Sequence, residues 1–127
     1  MMQRAMRKAA VTNRGSVAVS RGLATSIGDN EVFVVGLART PVAKLGGALS
    51  GMTAPQLGAH AISHAIERAG VDKKIIQEAF MGNVVSANVG QAPTRQAVMY
   101  AGLDLDTPST TINKVCASGM KSAMYAC

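Results

Sequence analysis

The sequence predicts an α/β protein with an open, mainly parallel sheet and helices flanking it. Segments typical of buried strands alternate with segments of helical periodicity, in the order strand, helix, strand, helix, strand, helix. Such an alternation is typical of parallel strands joined by right-handed crossovers. The predicted strands are short and apolar or β-branched, as expected for strands that are covered on both faces.

The first predicted strand is the near-continuous apolar run at residues 31–37. A glycine-rich connection follows it and could be mistaken for a phosphate-binding loop. It contains no Gly-Lys-Ser or Gly-Lys-Thr, and Lys44 precedes the glycines, so phosphate binding is not expected there.

The first helix has clear signals at both ends. Thr53 and Gln56 have the spacing of a capping box, and Pro55 suits the first turn. Gly70 is placed to end the helix in a left-handed conformation. Apolar residues at helical spacing predict a buried stripe of Leu57, Ala61, Ala65 and Ala69.

The remaining elements follow from turn and periodicity signals. Pro93 begins a second helix, which Gly102 ends, and Arg95 on this helix is expected to form a surface or interface salt bridge. The other predicted elements are a short helical turn in 72–77, a strand at 78–84, a loop at 86–90, a turn at 104–108 and a strand at 109–112. The second helix is expected to pack through Ala97, Val98 and Ala101.

Charge is concentrated at the amino terminus. The chain has 127 residues and a formal net charge of +6. Residues 1–30 contribute +4 of this, and the remainder is nearly balanced. A nucleic-acid-binding surface needs clustered basic residues with aromatic platforms, and aromatic residues make up only 3% of the chain. We therefore expect no nucleic-acid partner. No apolar run approaches the length of a membrane span, so no membrane partner is expected either.

The first 28 residues have the composition of a mitochondrial transit peptide. They lack Asp and Glu, are rich in Arg, Ser, Thr and Ala, and can form an apolar stripe opposite Arg4, Arg7 and Lys8. The alternative is a merely basic, disordered tail. The predicted organisation is therefore a targeting segment at 1–28 and a domain at 29–127, in the mitochondrial matrix.

The chain contains two histidines and two cysteines, which are the residue types most often found as metal ligands or nucleophiles. His60 and His64 lie four apart on the first helix, but no third ligand is nearby, so no metal site is expected. Cys116 and Cys127 cannot form a disulfide along one helix, which favours a reducing compartment. Cys127 is expected to lie in the core on the apolar face of the last helix, with Ala117, Met120 and Met124.

Cys116 is the candidate nucleophile. It follows the β-branched run at 110–112 and precedes a helical pattern, so it is expected at a strand-to-helix junction, in the first turn of the helix. Unpaired backbone N–H groups and the helix dipole favour a thiolate there. The alternative is that Cys116 is an inert thiol buried in the core, which its position in the sequence alone does not exclude.

The segment Asn113–Lys121 reads Asn-Lys-Val-Cys-Ala-Ser-Gly-Met-Lys and resembles the active-site signature of the thiolases. Two further sequence blocks resemble thiolase motifs and occur in the order found in the family. The first is Ala-Arg-Thr-Pro at 38–41, and the second consists of the segments 81–84 and 90–97. The residues of these motifs are most similar to those of the mitochondrial short-chain thiolases, which make and cleave acetoacetyl-CoA. The resemblance covers residues 31–127 and implies a thiolase-like fold, of which this is the first part of the N-terminal domain.

The resemblance implies an acyltransferase in which Cys116 is acylated by a coenzyme A thioester and its backbone N–H contributes to an oxyanion hole. It implies acetyl-CoA and acetoacetyl-CoA as substrates, no bound cofactor or metal, and a homodimer or homotetramer at full length. The family also uses a histidine, a second cysteine and an asparagine from later in a longer chain. His60, His64 and Cys127 do not match them, so the 127 residues alone are expected to be an inactive, poorly stable fragment.

Two other functions remain open at this stage. One is a non-catalytic piece that associates with full-length thiolase subunits. The other is a redox-sensing thiol module built on Cys116. We rank the acyltransferase first and the redox module last.

Overall fold

The computed structural model describes residues 31–127, so the predicted targeting segment at 1–28 lies outside the described residues. The alternation of helices and parallel strands confirms the α/β class. In chain order the elements are α1 (Ala54–Ala69), a short 3₁₀ helix (Lys73–Ile75), β1 (Ala79–Gly82), α2 (Pro93–Tyr100), β2 (Ser109–Ile112) and α3 (Ser118–Ala126).

The sheet consists of β1 and β2, which run parallel and are connected through α2. Ala79 pairs with Ser109, and Gly82 pairs with Ile112. The ladder extends past both ends, because Ala79 N–H donates to Pro108 O and Asn83 N–H donates to Ile112 O, each at 3.0 Å. Both strands are where the sequence predicts them, although β1 is shorter than the predicted 78–84.

The predicted strand at 31–37 is wrong. This segment has no regular secondary structure, and Val34 and Leu37 are 76% and 72% exposed. A strand needs a hydrogen-bonding neighbour, and within residues 31–127 the sheet contains only β1 and β2. The segment instead lies along α1, where Arg68 Nη1 donates to Leu37 O at 2.7 Å.

The two ends of α1 confirm the predicted signals. Gln56 N–H donates to Thr53 Oγ1 at 3.4 Å, and Thr53 N–H donates to Gln56 Oε1 at 2.8 Å, which completes the capping box. Gly70 ends the helix at φ 66° and donates to the carbonyls of Ile66 and Glu67. These bonds satisfy helix-end groups that otherwise lack partners.

Replacing Thr53 by alanine is expected to destabilise the chain by about 1 kcal/mol, because the first turn loses its side-chain acceptor. The urea midpoint of dilute protein measures this. Thr53→Ser keeps the hydroxyl and is the matched control. Equal midpoints for the alanine and serine variants would contradict a stabilising cap.

The face of α1 that enters the core differs from the predicted stripe. Ala59 is buried and packs with Val98, Ala101 and Leu103, while Ile62 and Ile66 lie against this cluster. The predicted stripe of Leu57, Ala61, Ala65 and Ala69 is only half-buried. It turns toward the connection that precedes α1: Gly36 approaches Ala65 and Ala69 so closely that a Cβ would lie 2.4 Å from Ala65 O.

Helix α2 joins α1 to the sheet. Ala97 and Val98 are fully buried, as predicted, and Gly102 ends the helix region at φ 72°. Thr94 Oγ1 lies 2.7 Å from Thr111 Oγ1, which ties α2 to β2.

The predicted surface salt bridge of Arg95 is not formed within residues 31–127. Its guanidinium donates from Nη1 to Thr107 O at 2.9 Å and from Nη2 to Leu105 O. Arg95 thus holds the turn that leads into β2, because its guanidinium donates to two backbone carbonyls of that turn.

No helix among residues 31–127 is long and apolar enough to span a bilayer.

Candidate active site

The candidate site is the connection between β2 and α3, residues 113–117, which we call the nucleophile turn. Cys116 lies in it, exposed to solvent, as a free thiol. The prediction that Cys116 lies in the first turn of the helix is wrong. The N-cap of α3 is Ala117 and the helix begins at Ser118, so Cys116 immediately precedes the N-cap. A tight turn precedes the helix, in which Ala117 N–H donates to Lys114 O at 3.1 Å.

Val115 gives the nucleophile turn its shape. Its φ of 51° is left-handed, which is a genuine outlier for a β-branched residue. Such strain persists only where surrounding contacts determine the backbone, and it is found preferentially at functional sites. One of these contacts is Asn113 Oδ1, which accepts from Val115 N–H at 3.0 Å.

Ser118 holds the same turn from the helix side. Its hydroxyl accepts from Lys114 N–H at 2.8 Å and donates to Val115 O at 2.7 Å. The side chain is 4% exposed, so water does not compete freely for these bonds. The sequence analysis assigns no role to Ser118. A serine at the start of a helix can nevertheless form hydrogen bonds between its hydroxyl and nearby backbone groups, which is the signal that could have identified it.

The buried face of α3 is polar and small, which corrects the predicted apolar face. Ser118 and Ser122 are buried, whereas Met120 and Met124 are 72% and 60% exposed and Cys127 is exposed. The small side chains allow α3 to approach β1 closely at Gly82. Nothing within residues 31–127 covers the methionine face.

Aromatic contacts complete the packing of α3 on the sheet. The rings of Phe80 and Tyr125 have centroids 5.9 Å apart. Lys121 Nζ lies 4.5 Å from the Tyr125 centroid, within the range of a cation–π interaction. The far end of α3 is thereby fixed on β1.

The carboxyl ends of the two parallel strands meet at the nucleophile turn. Asn113 Nδ2 donates to Val84 O at 3.4 Å, which links the residue after β2 to the segment after β1. Open α/β sheets build their sites at this edge. A shallow cleft beside the turn is lined by Asn113, Lys114, Met120, Lys121 and Tyr125, together with Ile112, Ala117 and Met124.

The other candidate residues lie away from this cleft. His64 Nδ1 is 3.1 Å from Glu67 Oε2, and His60 lines a different cleft with Met52 and Tyr100. Cys127 Sγ contacts Ala123 O at 3.2 Å within its own helix. Among the described residues, no group of three or more His, Cys, Asp or Glu side chains is arranged to hold a metal ion.

The match to known proteins covers this whole region. A sequence model of the thiolase N-terminal domain matches residues 32–127. The chain belongs to the thiolase family.

Similar thiolases are named mitochondrial acetyl-CoA acetyltransferase. The chain is 57% identical over 97 residues to that of Bos taurus, covering 76% of this chain and 23% of the relative. It is 53% identical over 108 residues to that of Danio rerio, covering 85% of this chain and 26% of the relative. The chain therefore spans about a quarter of the length of the curated relatives it matches.

A solved thiolase supports the same conclusion in three dimensions. The acetyl-CoA acetyltransferase of Syntrophomonas wolfei superposes with a TM-score of 0.69 at 41% identity, covering 74% of this chain and 24% of that one. The predicted fold class is confirmed: this is the first part of a thiolase N-terminal domain, with a parallel sheet and flanking helices.

Proposed function

We propose that this chain is the nucleophile-bearing part of a thiolase that condenses two acetyl-CoA molecules into acetoacetyl-CoA or cleaves acetoacetyl-CoA in reverse. One observation carries the proposal: an exposed thiol, Cys116, lies in a strained turn at the carboxyl end of a parallel sheet. The residues around it belong to the stretch at 32–127 that the thiolase N-terminal domain model matches, and similar chains are named acetyl-CoA acetyltransferase.

The proposed chemistry has two acyl-transfer steps. In thiolysis the Cys116 thiolate attacks the ketone carbonyl of acetoacetyl-CoA, and the bond between its C2 and C3 breaks. Acetyl-CoA leaves as an enolate that takes up a proton, and Cys116 is left acetylated. The thiolate of a free coenzyme A then attacks the thioester, which releases a second acetyl-CoA and restores the thiolate. The Cys116 backbone N–H is proposed as one of the oxyanion donors.

The groups that move protons are proposed to lie outside these residues. The family resemblance assigns nucleophile activation to a histidine, proton transfer at C2 to a second cysteine, and a water-holding role to an asparagine. None of these matches His60, His64 or Cys127. We also propose that the substrates are coenzyme A thioesters, that no cofactor is bound, and that the complete protein is a homo-oligomer.

The proposed organisation of the chain is a targeting segment at 1–28 followed by a domain at 29–127. The proposed location is the mitochondrial matrix.

A segment swap tests the activity. Residues 31–127 would replace the matching quarter of the Bos taurus relative, so that the rest of the catalytic machinery comes from that protein. We expect this chimaera to thiolyse acetoacetyl-CoA and to accept a radioactive acetyl group from acetyl-CoA on Cys116. A folded chimaera without either activity would refute the proposal, and the unmodified relative serves as the reference.

The 127-residue chain alone is expected to show no acetoacetyl-CoA thiolysis and to self-associate. Its described part exposes large apolar side chains on the segment before α1 and on α3, and exposed apolar surface promotes association. Sedimentation at several protein concentrations measures the association, and a thiolysis assay on the same samples measures turnover. Appreciable turnover by a monomer would contradict this expectation.

A second candidate function is favoured by the same exposed surface. The face of α3 formed by Met120 and Met124 is uncovered, which suits association with other thiolase subunits. In this alternative the chain is a non-catalytic subunit. Mixing it with the full-length Bos taurus relative and separating the complexes by size distinguishes the two functions, because only the alternative predicts stable hetero-oligomers of an inactive chain.

A further inference from the structure

We propose that Ser118 is a positioning residue for Cys116: its hydroxyl locks the nucleophile turn and thereby orients the Cys116 backbone N–H and thiol for acyl transfer. The inference rests on the proposed function, because it concerns how the same nucleophile is held. It adds a residue whose hydroxyl bonds to backbone groups of the nucleophile turn and acts through that backbone.

The first argument is the position of the hydroxyl across the turn. Ser118 Oγ accepts from Lys114 N–H at 2.8 Å and donates to Val115 O at 2.7 Å, so both of its bonds go to backbone groups on the amino side of Cys116. Ser118 N–H donates to the same Val115 carbonyl at 3.1 Å. Three bonds from one residue therefore close the turn around Cys116.

The second argument is the strain that these bonds hold in place. Val115 adopts a φ of 51°, which a β-branched residue leaves unless its neighbours prevent it. Relaxation of Val115 would rotate the peptide that links it to Cys116, and the N–H of Cys116 belongs to that peptide. An oxyanion donor is useful only when it points at the developing charge, so this rotation would weaken acyl transfer.

The third argument is that Ser118 is anchored independently of the turn. It is 4% exposed, and its backbone lies against Gly82 of β1. The hydroxyl is thus presented from a fixed element, whereas the nucleophile turn is exposed on its other side.

The test compares two reactions of Cys116 in the 127-residue chain. Acetylation by p-nitrophenyl acetate passes through an oxyanion, but alkylation by iodoacetamide does not. Because both reactions need the thiolate, the ratio of their rates at one pH cancels the ionised fraction of the thiol. Mass spectrometry of the peptide measures both at Cys116, with Cys127 as the internal reference.

Ser118→Ala is expected to lower this ratio at Cys116 about fivefold, because the N–H donor loses its orientation. Ser122→Ala is the matched control: it removes a buried serine hydroxyl one turn later on the same helix and is expected to leave the ratio within about twofold. Asn113→Ala releases the turn from its exposed side, without touching α3, and is expected to lower the ratio as well.

Amide hydrogen exchange reports the lock itself. Ser118→Ala is expected to accelerate exchange at Lys114 N–H roughly tenfold, since that group loses its acceptor, whereas Ser122→Ala leaves it unchanged. Equal ratios in Ser118→Ala and Ser122→Ala would overturn the inference, as would faster Lys114 exchange with an unaltered ratio, because Ser118 would then be structural only. A different experiment shows whether the proposed function itself fails. In that case Cys116 of the chimaera would accept no acetyl group from acetyl-CoA.

Discussion

Replacing Cys116 by serine in the chimaera is expected to lower acetoacetyl-CoA thiolysis by at least about a thousandfold. The hydroxyl keeps nearly the same shape but is a much weaker nucleophile than a thiolate, and no acyl thioester can form. The measurement is the steady-state rate, together with transfer of a radioactive acetyl group from acetyl-CoA to the protein. Both are expected to fall to the background level.

Cys127→Ser is the matched control for this result. Both thiols are free and exposed in the described part of the chain, and they differ in that the Cys127 thiol donates to a carbonyl of its own helix. We expect Cys127→Ser to retain acetyl labelling on Cys116 and to change the rate by less than about threefold. Label that persists after Cys116→Ser, or that moves to Cys127, would disprove the assignment of the nucleophile.

Replacing Gly82 by alanine is expected to destabilise the chain by about 3 kcal/mol. A Cβ at this position would lie 2.6 Å from the Ser118 carbonyl carbon and 2.7 Å from Gly119 N. Both are backbone atoms of α3 and cannot rotate away, so the helix has to move off β1. Because Ser118 holds the nucleophile turn, the same change is expected to reduce acetylation of Cys116.

Gly119→Ala provides the comparison, since a Cβ there meets no atom within 4 Å. It is expected to be neutral or to stabilise α3 by up to about 1 kcal/mol, because alanine is the better helix former. Urea unfolding of dilute protein measures both variants. If Gly82→Ala unfolds at the same urea concentration as Gly119→Ala, the close approach of α3 to β1 is not a constraint on the fold.

The elements that sequence reasoning located correctly are those with local causes. Thr53 and Gln56 form their capping box within four residues, and Gly102 ends the α2 region through its own backbone freedom. The sequence predicts the strand at Ser109–Ile112 with its observed ends, because a β-branched run between a proline and an asparagine favours one conformation. Each of these signals needs no knowledge of distant residues.

The predictions that failed depended on which surfaces meet. The segment at 31–37 has strand-like composition but no strand beside it, and Arg95 finds backbone carbonyls where an acidic partner was expected. The methionine face of α3 was assigned to the core by its hydropathy. In the structure, the two serines of that helix are buried in its place, and Ser118 lies close against Gly82.

By itself the sequence determined the order of the elements from α1 onward, the ends of α1, the family and the identity of the candidate nucleophile, because short motifs and periodicity encode these properties. Only the tertiary structure decided that the helix starts after Cys116, that Val115 is strained and that Ser118 clamps the turn. These features arise where β2, α3 and Gly82 come together. The geometry of hydrogen bonds and close contacts is set there by packing, which no local pattern of residues specifies.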